Sequence, residues 1–426
     1  MRPSKRAGLP LLLLFSVSSA ALTFAQARGR VLYPLPAYPA CGQPLTPLIA
    51  DADGNLYGTG LNSGDAHAGC IFELSPSEAG WRETVLHSFS GPDGSGPDGA
   101  LVFDSAGNLY GTAGQGGAYD EGVVFELSPE GDGAWAESIL YSFGGWDGDG
   151  WSPGGKLIFD SQGNIYGTGG GGPRGVGTIF KLSPSDDGWT ETILYSFSSG
   201  INGPGGDGPR GGLVMDREGR LYGVTTDGGE HGGGTVFELS PSESGDYTEK
   251  IIRSFDGTDG TYPDSLAMDK SGNLYATTEF GGLGWGTVTE LIKKIDGRWG
   301  ENVLHIMNSE DGYSVVGPAV FDKAGNLYAA AQFGAINGMG SVFMLAPTQS
   351  GFWTETVLHR FDFQFPDGED GRNPYAGVIV VDGKLFGTTS SGGIYDDGTV
   401  FEITPPTSDP RRRTFMVPAV IGPAAD

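Results

Sequence analysis

The side chains of this chain best placed to do chemistry are carboxylates. Its 426 residues include 52 Asp plus Glu against 25 Lys plus Arg. Many acids recur in Asp-Gly segments: Asp93 and Asp98, Asp147 and Asp149, Asp207, Asp256 and Asp259, Glu310 and Asp311, then Asp367, Glu369 and Asp370. Gathered on one face, such groups can hold Ca²⁺, which takes oxygen ligands, or form an acid/base pair for glycoside hydrolysis. The candidate metal ligands are Asp147, Asp149, Asp256, Asp259, Asp367 and Asp370, with Ca²⁺ the only cofactor suggested. The simpler reading of the same letters is turn chemistry, because tight turns select Asp and Gly.

Aromatic residues are the second candidate set. Trp81, Trp135, Trp189, Trp299 and Trp353 open a recurring segment and read as packing residues. Trp146, Trp151 and Trp285 fall outside that register, in variable loops, where an exposed indole offers a flat apolar face to a sugar ring. Tyr119 and Tyr395 occupy comparable loops, and these five are the expected ligand contacts. His87, His305 and His359 replace Tyr141 or Tyr195 of other copies, while His67 and His231 lie in loops. Gly170-x-Gly172-x-x-Gly175 matches a dinucleotide pattern by letters only, since it joins two strands and opens no helix. No Gly-x-Ser-x-Gly, His-Glu-x-x-His or Cys-x-x-Cys occurs. No catalytic residue is assigned, and the reading leans away from an enzyme.

The elements that must position these groups come from repetition. With 76 Gly scattered along the chain, no window sustains a helix. A strand-turn-strand phrase recurs around Gly54, Gly107, Gly163, Gly219, Gly272, Gly325 and Gly383. In the second copy, strand a is Leu101-Val102-Phe103-Asp104 and strand b is Leu109-Tyr110-Gly111-Thr112. Strand c is Val123-Val124-Phe125-Glu126-Leu127, and strand d runs from Trp135 to Phe143. Each is short, rich in β-branched and aromatic residues, and bounded by Gly, Pro or Asp. Four strands in each of seven repeats predict an all-β, seven-bladed β-propeller of antiparallel blades. The seventh copy stops after strand c. Arg30-Val31-Leu32-Tyr33 resembles a strand d, so the N-terminal strand is expected to complete the last blade and close the ring. The a–b and c–d turns then share one face, and the variable b–c and d–a loops share the other, with a central funnel.

Three phrases carry a family resemblance: Gly-Asn-Leu-Tyr-Gly-Thr, Gly-Thr-Val-Phe-Glu-Leu-Ser-Pro (Gly234 to Pro241) and Trp-Thr-Glu-Thr-Ile-Leu-Tyr-Ser-Phe (Trp189 to Phe197). Over residues 29–404 the chain resembles the Gloeo_Verruco (GloVer) tandem repeat. That resemblance implies an exported bacterial repeat protein, sometimes anchored to the envelope through differing C-termini. It implies no activity and no catalytic residues. The tail here has neither an apolar anchor nor a sorting motif.

Around the propeller, residues 1–27 read as a signal peptide: a basic start, an apolar run from Leu9 to Phe24, and Ala25-Gln26-Ala27 at the cleavage site. The propeller is assigned to 28–404, and 405–426 to a flexible tail. Secretion to a periplasmic or extracellular space follows, and there Cys41 and Cys70 can form a disulfide, two separate thiols being the alternative. The net charge of −27 excludes nucleic acid and anionic membrane as main partners. No apolar stretch after the signal is long enough to span a bilayer, and a monomer is expected. The functional expectation is a non-catalytic binding module for a polysaccharide or a cell-surface protein. Its alternatives are a carbohydrate-active or lactonase-like enzyme using acidic funnel residues, and a passive structural envelope protein.

Overall fold

The computed structural model describes residues 27–406 except 37–38, 132, 147, 199–204, 243–244 and 363–369. Residues 1–26 of the segment read as a signal peptide (1–27) and the tail from 407 lie outside that set. Among the described residues every regular element is a strand, and no helix is long and apolar enough to cross a membrane. Seven antiparallel four-stranded blades form the ring. Their strands a are Ile49–Ala50, Val102–Phe103, Gly150–Phe159, Asp207–Met215, Thr261–Met268, Tyr313–Phe321 and Val378–Val381. Blade 7 takes its strand d from the N-terminus: Arg28–Pro34 pairs with Thr399–Thr404, as the sequence predicts.

The repeated letters each answer a local demand. In blade 3, Asp160 Oδ1 accepts the amides of Gln162 and Asn164, both at 2.9 Å. Its Oδ2 accepts Asn164 Nδ2 at 2.6 Å and the Tyr166 hydroxyl at 3.0 Å. One carboxylate thereby satisfies the a–b turn and ties it to strand b, which is why Asp-x-x-Gly-Asn-x-Tyr recurs. The calcium-like fragment Asp51-Ala52-Asp53-Gly54-Asn55 makes the same turn.

Between blades, apolar residues of strands b and c fill seven cores, one at each seam. The strand-c phenylalanines Phe72, Phe125, Phe180, Phe237, Phe343 and Phe401 are almost fully buried. Burial stabilises by about 1.5–3 kcal/mol for each such side chain. Phe125 lies so close to Gly111 that a Cβ there would sit 2.5 Å from its Cζ. This close approach explains the recurring strand-b glycine. The five repeated tryptophans pack against these cores. Cys41 and Cys70 form the disulfide, with Cα atoms 5.8 Å apart, pinning the segment before blade 1 to its strand c.

Candidate functional site

Strands a and the segments leading into them line a central cavity of about 1160 Å³. Most blades carry a proline shortly before or near the start of strand a: Pro44, Pro97, Pro153, Pro209, Pro263 and Pro374, with Val315 in blade 6. The residue that follows faces the cavity as Leu45, Asp98, Gly154, Arg210, Asp264 or Tyr375, whereas Val316 of blade 6 is buried. A position so varied inside so uniform a repeat is where one blade differs functionally from the next.

One wall is an ion-pair cluster joining four blades. Arg210 of blade 4 places Nε 3.2 Å from Asp264 and donates from Nη1 to Glu279 at 2.8 Å, both in blade 5. It also donates from Nη2 to the Tyr375 hydroxyl at 2.8 Å, ahead of blade 7. Asp264 Oδ2 accepts the Gly317 amide of blade 6 at 2.7 Å. Burial pushes the Asp264 and Glu279 carboxyls up, opposed by Arg210. Burial pulls the guanidinium down, but Asp264, Tyr375 and Glu279 outweigh it and hold it above its ordinary value. Every charged group here has a partner, so the cluster braces the channel.

The opposite wall differs. Asp98 of blade 2 and Lys156 of blade 3 line the same cavity. Among the described residues neither forms an ion pair. Asp98 is open to channel water but has protein behind and beside it, and burial pushes its carboxyl up to about 7. Burial pulls the Lys156 ammonium down. Asp98 Oδ2 and Ser152 Oγ converge on one spot, lying 3.1 Å and 3.2 Å from where a Gly114 Cβ would be. Titratable groups perturbed by burial and left without partners mark a site better than braced ones do.

Three exposed aromatic residues lie in neighbouring segments of blades 2 and 3. Tyr119, Trp146 and Trp151 are 56%, 51% and 43% exposed. Tyr119 lies against Gly144 and Gly145, and Trp146 Nε1 donates to the Tyr141 hydroxyl at 3.3 Å. Trp151 covers the Gly170–Gly171 edge. The Ser152 amide donates to the Glu121 carbonyl at 2.8 Å, which joins the Trp151 strand to the Tyr119 loop. The structure thus brings these three together at the seam of blades 2 and 3. Trp285 stands apart in blade 5, half-buried against the core between blades 5 and 6, with Tyr313 edge-on at 5.4 Å. Tyr395 is exposed in blade 7.

The acidic loops hold themselves. Asp149 Oδ2 accepts the Gly144 and Gly145 amides at 2.9 Å and 3.1 Å. Asp259 accepts Arg253 Nε at 2.6 Å and the Asp256 amide at 3.0 Å. Asp256 in turn accepts Thr258, and Asp370 sits 3.2 Å from His359 Nε2. Asp147 and Asp367 lie outside the described residues. Among the described residues no three His, Cys, Asp or Glu side chains gather as a metal site. Sequence reasoning had placed Asp98 among the loop acids but missed Lys156, Arg210, Glu279 and Tyr375.

Seven uniform blades around a channel whose facing residues vary define a repeat-built β-propeller. The model of the Gloeobacter/Verrucomicrobia repeat matches residues 43–289 and 243–415, and the chain belongs to that family. No curated protein matches the sequence. Among solved structures, a luciferin-regenerating enzyme aligns at 12% identity with a TM-score of 0.45, covering 89% of this chain and 95% of that one.

Proposed function

We propose that the protein is an exported, non-catalytic binding module that takes a saccharide across the seam of blades 2 and 3. The observation that supports this reading is the exposure of Tyr119, Trp146 and Trp151 in neighbouring segments of blades 2 and 3, with Ser152, next to Trp151 in the chain, converging with Asp98. Flat aromatic faces with a few converging polar groups are what recognition of a ring bearing hydroxyls needs. The enzyme alternative needs a second free carboxylate beside Asp98. Asp264, the other acid lining the channel, is paired with Arg210.

A glycan-array screen of the purified protein, run with calcium and with chelator, tests the proposal. Binding should appear in both conditions and be lost in Trp146→Ala and Trp151→Ala. Trp285→Ala, a packing variant, should keep it if folded. A blank array in both conditions, or hits indifferent to Trp146 and Trp151, would overturn the proposal and turn attention to a surface protein as ligand.

A further inference from the structure

The channel has a second tier that the saccharide reading does not use. Besides the polar wall, six of the seven strands a place a cavity-lining residue opposite the repeated strand-b aromatic: Ile49 pairs with Tyr57, Ile158 with Tyr166 and Val214 with Tyr222. Ala267, Val320 and Ile379 occupy the same register against Tyr275, Tyr328 and Phe386. All six line the same cavity as Asp98 and Lys156. An apolar collar therefore adjoins the polar tier within one continuous volume of about 1160 Å³.

The two cations lining that volume are held differently. Arg210 is neutralised by Asp264 and Glu279 and hydrogen-bonded by Tyr375. Lys156 has no such partner among the described residues, and its exposed side chain leaves the ammonium open to an anion entering the channel. Asp98, titrating near 7, can stand protonated and donate a hydrogen bond. A small anion is the natural complement of the unpaired Lys156 ammonium. Polyanions are a different matter, because a net charge of −27 repels them in proportion to their own charge. A single charge meets little of that field, which salt screens beyond about 8 Å.

We infer that the channel is a separate binding site for a monocarboxylate with an apolar body, its carboxylate on Lys156 and its apolar end in the collar of Ile49, Ile158, Val214, Ala267, Val320 and Ile379. Calorimetric titration of the full protein with octanoate, octanol, octylamine and acetate tests it. Octanoate should bind at least about 10-fold more tightly than each of the other three. Lys156→Met should weaken octanoate by a similar factor while keeping its melting temperature, since methionine fills the space without the charge. Ala267→Leu, which narrows the collar and leaves the charge, should also weaken octanoate. Equal binding of octanol, unchanged affinity in Lys156→Met, or no octanoate binding at millimolar concentration would overturn the inference. Trp151→Ala should leave octanoate binding intact, so the saccharide reading and this one fail separately.

Discussion

Neutralising Glu191 should make the protein more stable in alkali and leave it unchanged in mild acid. Glu191 is the third residue of its strand d (Gly188–Ser196, counting from Trp189), a place also held by Glu83, Glu137, Glu249, Glu301 and Glu355. It crosses the seam to blade 2, where the Tyr141 hydroxyl sits 3.4 Å from its Oε2 and Asp149 lies alongside. One carboxylate oxygen of Glu137, Glu191, Glu249 and Glu355 is buried without a hydrogen-bond partner. Burial, then the charge of Asp149, pushes Glu191 up to about 8. Burial does the same for Glu137 and Glu301, each to about 7. Because these folded-state values are raised, the folded protein holds more protons than the unfolded chain. Their stabilising effect is complete below about pH 4.5 and is lost as pH rises through 7 to 8. Each unit is about 1.4 kcal/mol, so Glu191 fully realised would contribute about 5 kcal/mol. Partial solvation of the seam reduces that to roughly 1–2 kcal/mol. Glu191→Gln should therefore gain about 1–2 kcal/mol over wild type at pH 9, about 2 °C in melting temperature for a domain this size, and be equal at pH 5. Tryptophan fluorescence during thermal unfolding at both pH values reads this. A loss of stability independent of pH, or a wild-type melting temperature that climbs from pH 5 to 8, would refute the reasoning.

The acid side has its own limit. Burial raises the turn carboxyls of Asp104, Asp160 and Asp322, but hydrogen bonds from Asn108, Asn164 and Asn326 outweigh it and hold them below the ordinary range. Their contribution is lost as pH falls through those lowered values, so the same melts should decline again below about pH 4. Gly111→Ala should cost about 1–3 kcal/mol by overpacking Phe125, and Leu101→Ala should recover part of it in chemical denaturation. Blade 6 already combines Ala329 with Ala319 beside a buried Phe343. Reducing the Cys41–Cys70 bridge, which closes a separation of 29 residues, should cost about 3–4 kcal/mol, read as a lower melting temperature under reductant.

Repetition made the fold legible, because every copy meets the same demands at the same offset. Asp160 must cap its turn, Gly111 must admit Phe125, and the missing seventh strand d had a matching segment in Arg30 to Tyr33. The channel was less legible because its groups converge through the ring rather than along the chain: Arg210 and Tyr375 are 165 positions apart. A signal was nonetheless present in the residue after each repeated proline, which changes from blade to blade. Trp285 shows the opposite limit. Its loop position suggested exposure, but Tyr313 from the following blade stacks edge-on against it. In blade 7, Gly29 takes the place of the seam glutamate, and a Cβ there would meet His359 Nδ1 at 2.7 Å. Only the closed ring reveals why that copy departs from the others.

The most direct test of the central claim compares the two faces of the ring in one binding assay. Trp151 marks the variable-loop face, and Phe352, 71% exposed in a c–d turn, marks the opposite one. Affinity for a glycan hit should fall at least about 10-fold in Trp151→Ala and stay unchanged in Phe352→Ala. The reverse pattern, or equal losses in two folded variants, would contradict a saccharide site on the variable-loop face.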